Sequence, residues 1–398
     1  MTGDLQQLFE GPSYRAKDKQ KAKLFHAICS STGLTRKQLA DQLTLRRTTV
    51  SHLVQQLLED DLVREGKLRS NGRQGRPQIP LYPNFNRFTA LALYFVSMEL
   101  KGALLNSAYQ VLAERSVTLS EQSDHAQLAN RIVETAHELQ QQVPAGSELL
   151  GCGITFPGYV DTYRRRWLFA ARWPGLREFS ATQIEPRLNL PLAFRRSLDA
   201  ELDYLLGRYP EYRTGGTLLV HWGYGIGSSY AHDARIVQTT AGGFGEIGHV
   251  ALCERPEAAR CICGRTGCLE TEAALWAVLP RLRESVPDLP HGEEEFSRAF
   301  LERNLAEHPQ VKRAVDAFTR AMVVLYTLFA PERMVMYGPF IDSDEIYRTV
   351  TSSVHRALPE DSAELLTIER IRTTFAGDLF GATSGYFRDA YTRYLLAR

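Results

Sequence analysis

The chain has 398 residues, 44% of them hydrophobic and 23% charged, and a formal net charge of +1 at pH 7. That length allows two or three domains, each with its own core, and the composition is ordinary for a soluble globular protein. No stretch approaches the roughly 18 uncharged apolar residues of a membrane span, and MTGDLQQLFEGPSYRAKDKQ lacks the apolar core of a secretory signal. These readings argue against membrane insertion and secretion. Six cysteines, three of them between residues 261 and 268, suit a reducing cytoplasm better than a disulfide scaffold. The near-neutral total conceals an asymmetry: residues 1–87 carry fifteen Lys/Arg against eight Asp/Glu, net +7, and the remainder 32 against 38, net −6. A basic head on a mildly acidic body fits a polyanion-binding module, although a solvated basic face gives the same count.

Residues 1–18 show no periodicity and read as a mobile tail; residues 19–83 read as one module. From Lys19 the pattern is helical, with Leu24, Ala27 and Ile28 on one apolar face. Gly33 and Leu34 end that helix, and Thr35 reads as the N-cap of RKQLADQL, whose Leu39, Ala40 and Leu43 face inward. After a turn at Thr44-Leu45, RRTTVSHLVQQLLEDD places Val50, Leu53, Val54, Leu57 and Leu58 on a buried stripe. Its exposed N-terminal half carries Arg46, Arg47, Thr48, Thr49, Ser51 and His52. Two short helices joined by a tight turn, the second basic at its start, predict a helix-turn-helix with the second helix in the major groove. Leu62-Val63 and Ile79, Leu81 and Tyr82 read as the strands of a wing. Between them, Arg73 and Arg76, with Gly72 and Gly75 beside them, suit a narrow minor groove. Simple helix packing or a solvated hairpin explains either half alone; together they point to a double-stranded DNA operator.

Residues 84–398 read as a separate body. FTALALYFVSMELKGALLNSAYQVLAERSVTL predicts successive strands with a turn near Asn106-Ser107, and residues 126–142 an amphipathic packing helix. LLGCGITFPGYVD reads as a buried strand leaving into a turn at Pro157-Gly158, with Cys152 as a small core residue. TLLVHWGYGIGSSYAHDARIV reads as strand, glycine turn and strand, with Gly223, Gly225 and Gly227 serving the connection. VKRAVDAFTRAMVVLYTLFA reads as a central or interface helix, MVMYGPF as a strand and turn, and the C-terminal segment as an amphipathic helix.

The densest chemistry lies in GGFGEIGHVALCERPEAARCICGRTGCLETE. His249, Cys261, Cys263 and Cys268 are thiolate and imidazole ligands of the kind a closed, structural tetrahedral Zn²⁺ site takes. Reduced surface cysteines are the alternative, and three of them interleaved with Gly264 and Gly267 argue against it. Such a clip would fix the carboxylates Glu246 and Glu270 where a hydroxyl-rich ligand can be recognised.

GEIGH followed by CxCGxxGCLE resembles the signature of the ROK family, which contains sugar kinases and sugar-responsive repressors, and the resemblance extends with varying strength along nearly the whole chain. It implies an α/β actin-like (ribonuclease H-like, hexokinase-type) two-lobed effector domain preceded by an α+β winged helix-turn-helix. Family repressors have a similar winged module ending in a GRxGRP-like linker, which the kinases lack. Arg46 stands where related repressors tend to have a small capping residue. Asp199, Glu246, His249 and Glu270 match the family's sugar-binding positions, and His249 matches the metal position as well. Other positions depart from the family. The DxGGT phosphate loop is replaced by Phe95-Val96-Ser97-Met98-Glu99, which lacks the glycines that let backbone N–H groups approach phosphates. Leu198 and Glu201 stand where asparagine is usual, Arg172 near a sugar-binding asparagine, and Tyr337 and Pro339 flank a single Gly338 where kinases favour a glycine pair.

The expectation is therefore a cytoplasmic, non-enzymatic transcriptional regulator of sugar genes, a homodimer or homotetramer with structural Zn²⁺ and no membrane insertion. Its effector would be a sugar or sugar phosphate. The alternatives are a degenerate cleft controlled by a protein partner, such as a phosphotransferase-system component, and a sugar kinase with an added head.

Overall fold

The computed structural model describes residues 15–67, 79–239, 243–252, 258–372 and 375–396. The head contains α1 (Ala16–Cys29), β1 (Leu34–Thr35), α2 (Arg36–Leu43), α3 (Arg47–Glu59), β2 (Val63–Glu65) and β3 (Pro80–Pro83). Helix α1 begins at Ala16, inside the expected tail; residues 1–14 lie outside the described residues. Thr35 caps α2 as expected, its side chain accepting from the Gln38 N–H while Gln38 returns a bond to the Thr35 N–H. Val50, Leu53, Val54 and Leu57 are fully buried along α3. The wing strands pair antiparallel, and β1 adds a third strand in the order β1-β3-β2, which a two-residue segment gave no periodicity to reveal.

The first lobe of the body follows with β4 (Phe88–Val96), β5 (Glu99–Asn106), β6 (Val111–Thr118), α4 (His125–Gln140), β7 (Glu148–Phe156), β8 (Tyr159–Asp161), β9 (Arg166–Phe169), β10 (Phe179–Ser180), α5 (Glu185–Leu188) and β11 (Leu192–Arg196). Its main sheet has the order β11-β7-β4-β5-β6, antiparallel across β4-β5-β6 and parallel across β4-β7-β11. The second lobe comprises α6 (Ser197–Arg208), β12 (Gly216–Trp222), β13 (Ile226–His232), β14 (Arg235–Ile236), α7 (Leu269–Ala273), α8 (Leu275–Arg283), α9 (Glu293–Glu302), α10 (Pro309–Phe329), β15 (Arg333–Tyr337), α11 (Asp344–Ala357), α12 (Glu360–Leu365) and β16 (Thr367–Arg370). Its sheet runs β14-β13-β12-β15-β16 with the same split of antiparallel and parallel pairs. This repeated topology is the duplicated arrangement of an actin-like body. Each lobe has its own apolar core, including Trp222 stacked 4.0 Å from Phe318 in the second and Phe156 stacked 4.1 Å from Phe194 in the first.

The last helix, α13 (Ala376–Leu395), returns across the first lobe. Gly153 permits that approach: a Cβ there would run into the carbonyl oxygen of Ala382. The same helix anchors the head. Phe25 of α1 packs 5.3 Å from Tyr391, and one continuous cluster joins Leu24, Leu57, Phe88, Phe387 and Leu395. Lys21 Nζ donates to Asp60 Oδ2 and to the Tyr394 carbonyl, both at 2.9 Å. Among the described residues, no helix is long and apolar enough to cross a membrane.

Candidate functional site

Two surfaces carry chemistry. On the head, Arg46 precedes α3 in extended conformation, Thr44 holds the left-handed turn (φ 54°), and Arg46, Arg47, Thr48, Ser51 and His52 are exposed with Thr49 half-exposed. All six expected contacts on the recognition helix thus lie on its solvent face, opposite the buried stripe. Arg73 and Arg76 lie outside the described residues.

Between the lobes lies a cleft of about 1070 Å³, lined by residues of both, among them Phe169, Arg172, Arg196, Leu198, Glu246 and Glu270. Of the four expected ligand-binding residues, Glu246, His249 and Glu270 line its base, and Asp199 lies behind Arg196 without lining it. Gly245 (φ +79°) turns the chain against the Ser228 carbonyl and so sets Glu246 and His249 there. Asp199 sits in the first turn of α6, accepting from Ser229 Oγ at 2.8 Å and Gln238 Nε2 at 3.1 Å. Glu270 accepts from the Ile226 N–H at 2.9 Å and the Trp276 indole at 3.1 Å. Burial raises both Glu246 and Glu270, against the pull of Arg196 on the first and His249 on the second. Burial lowers His249 despite the Glu270 carboxylate 4.0 Å away.

One residue in this cluster was not read as functional. Arg196, the last residue of β11, is buried with its guanidinium 2.7 Å from Glu246 and 3.5 Å from Asp199, and it donates to the Ser228 carbonyl at 2.7 Å. Burial works against its charge, and Glu246 and Asp199 more than offset that. The signal was the period of two: Arg196 shares the inward face of β11 with Phe194. As one of two adjacent arginines it reads instead as a solvated residue.

His249, Cys261, Cys263 and Cys268 converge beside the cleft, their candidate ligand atoms all within 4.8 Å of one another. Cys261 Sγ lies 3.4 Å from His249 Nδ1, and Cys263 Sγ lies 3.6 Å from Cys268 Sγ. Bond lengths of ~2.3 Å to sulfur and ~2.0 Å to nitrogen give tetrahedral edges of about 3.5–3.8 Å, so the donor set and its spacing fit Zn²⁺. Arg177 of the first lobe donates to the carbonyl of Ile262, between two of these cysteines, at 2.6 Å. The loop is thereby tied to the opposite wall.

Further along the cleft, Arg172 stacks 3.9 Å over Tyr224 and approaches Glu293 at 3.8 Å, while His221 Nε2 lies 3.0 Å from the same carboxylate. Burial works to raise Glu293, but His221, Arg172 and the Tyr224 N–H hold it down at about 2. Where a kinase would cradle phosphate, β4 and β5 join in a tight hairpin through Ser97 (φ 51°), with Val96 facing Glu99 in register and Lys101 3.6 Å from that carboxylate. Glu201 and Asp378 also line this end. Burial and the Asp378 charge raise Glu201 to about 7, and burial raises Asp378 to about 6 against hydrogen bonds from Thr155 and Ser197.

Comparison with known proteins matches this architecture. The DNA-binding transcriptional repressor Mlc of Escherichia coli K12 is 23% identical over 380 residues, covering 92% of each chain. The dual regulator NagC of the same strain is 25% identical over 351 residues, covering 83% of this chain and 82% of NagC. A crystal structure of a ROK family transcriptional regulator homologous to Mlc superposes with a TM-score of 0.68 at 20% identity, over 96% of this chain and 98% of the other. The Streptomyces griseus ROK glucokinase, solved with glucose and AMPPNP, superposes with 0.54 at 17% identity over 76% of this chain and 98% of its own. The sequence profile of the ROK family matches residues 97–383, and the chain belongs to the ROK family.

Proposed function

We propose that this protein is a cytoplasmic DNA-binding transcriptional regulator, a repressor of sugar uptake or catabolism genes, working as a homodimer or homotetramer. The observation that carries the reading is the exposed Arg46–His52 face of a helix-turn-helix packed in one core with the body's last helix. A signal that changes the relation of the lobes is then felt by the head through α13. An effector that prefers one arrangement shifts the population and with it the spacing of the DNA heads. Zn²⁺ held by His249, Cys261, Cys263 and Cys268 keeps the loop carrying Glu246 and Glu270 in place. The Glu99 hairpin argues against kinase chemistry, because a carboxylate there repels phosphate and no glycine pair opens the backbone.

A sugar or sugar phosphate reaching Asp199, Glu246, His249 and Glu270 is the first candidate signal. The second is a protein partner, such as a phosphotransferase-system component. It is favoured by the protein donors already on Asp199 and Glu270 and by Leu198, which lacks the amide a polar ligand would use. Alanine at both Arg73 and Arg76 is expected to weaken DNA binding and flatten its salt dependence; unchanged binding removes the wing from the reading. A thermal-shift screen with sugars, sugar phosphates and ATP separates the signals: a shift with one sugar supports a small-molecule sensor, none supports a protein partner, and a shift with ATP overturns the non-enzymatic reading.

A further inference from the structure

We infer that Arg196 is a resident occupant of the family's sugar pocket and makes the pocket of this chain closed to neutral monosaccharides. The inference rests on the reading of the cleft as signal input and, among its candidate signals, decides against a neutral sugar. A neutral sugar is recognised by carboxylates that accept from its hydroxyl groups. Here the Glu246 carboxylate lies 2.7 Å from the Arg196 guanidinium, and Asp199 lies 3.5 Å from it while also accepting from Ser229 and Gln238. The arginine brings a full positive charge to these carboxylates, which a neutral hydroxyl does not. Displacing the guanidinium also strands two buried carboxylates without their counter-ion, which no neutral ligand replaces. The space is taken as well as the charge. A Cβ at Gly227 would stand 3.2 Å from the Arg196 Nη2 and 2.7 Å from the Leu198 Cδ1, so the glycine is the groove in which these two side chains lie. The Ser228 carbonyl fixes the guanidinium from the opposite lobe at 2.7 Å, so the arginine both fills the pocket and fastens the lobes around it. Leu198 completes an apolar flank where a sugar needs an amide.

The test is isothermal titration of the full-length protein with D-glucose, N-acetyl-D-glucosamine and D-xylose up to about 10 mM, with thermal shift as the second readout. The wild type and Arg196→Lys are expected to bind none of the three. Arg196→Val is expected to gain saturable binding of at least one, with a Kd of about 1 mM or tighter, a gain of at least tenfold over the wild-type limit. The variant exposes Asp199 and Glu246 to each other, so Arg196→Val with Glu246→Gln removes one buried charge while keeping a polar group for hydroxyls. Its fold is checked by circular dichroism. Saturable binding of any of the three sugars by the wild type overturns the inference, as does a folded double variant that binds none. Silence of the wild type supports it even where a variant fails to fold. The titration contains no DNA, so a protein that proved not to bind DNA would fail the regulatory reading and leave this result standing.

Discussion

The buried ion pair inside the head, whose lysine also reaches the body's last helix, sets a quantitative test of how the two are joined. Lys21 and Asp60 have side chains 8% and 6% exposed and meet at 2.9 Å, and the same ammonium donates to the Tyr394 carbonyl near the end of α13. Lys21→Ala removes the cation that the Asp60 carboxylate and the Tyr394 carbonyl share. Breaking one side of a buried pair costs about 3–5 kcal/mol, because the remaining charge stays desolvated. Lys21→Met with Asp60→Leu replaces the pair by apolar groups of similar size and is expected to recover to within about 1 kcal/mol of the wild type. Urea denaturation of the wild type, Lys21→Met, Asp60→Leu and the double variant gives the coupling energy. Hydrogen exchange then shows where the loss falls, with deprotection expected in α1 and the last turns of α13. A loss below about 1 kcal/mol for Lys21→Ala, or deprotection confined to the second lobe, refutes the argument that Lys21, held by Asp60, docks the head on the end of α13.

Other expectations follow from the cleft and the metal loop. Glu201 is raised from 4.5 to about 7, so the folded state holds its proton more tightly than the unfolded chain. Its contribution to stability therefore falls as pH rises through that window and levels off above about 7, at a cost on the order of 3 kcal/mol. Glu201→Gln is expected to stabilise by on the order of 1–3 kcal/mol at pH 8 and to change little at pH 4, read as the pH dependence of the melting midpoint; equal effects at both pH values contradict it. Asp378, which faces the same end of the cleft, keeps a smaller slope below about 6. Cys268→Ser is expected to lose the bound metal in native mass spectrometry and to destabilise the second lobe by about 3 kcal/mol or more. A variant that retains one equivalent of zinc and full stability removes Cys268 from the ligand set.

The elements that decide the fold were legible where local chemistry is sufficient. The Thr35 cap, the stripe from Val50 to Leu57 and the near-continuous apolar runs of β4 and β12 each encode their element within a few residues, and the structure forms them there. The four metal-loop residues were legible because ligand chemistry restricts residue type and spacing together. What escaped is what depends on distant chain. The strand at Leu34-Thr35 exists because distant β3 offers a partner, pairing Leu34 with Leu81 and Thr35 with Pro80. Arg196 was not singled out because its nearest counter-charge, Glu246, lies fifty residues away along the chain. Likewise, nothing local to Asp199 shows that its carboxylate, in the first turn of α6, turns to Ser229 of β13, thirty residues further on.

The central claim is that the head reads DNA. The most direct measurement selects binders from a random duplex library with the full-length protein, then titrates the enriched sequence at two salt concentrations against an Arg46→Ala/Arg47→Ala variant. The account predicts an enriched palindromic site with half-sites about 10 bp apart or a multiple of that, an affinity that falls steeply with salt, and loss of enrichment in the variant. No enriched sequence, or equal binding by the variant, would contradict it.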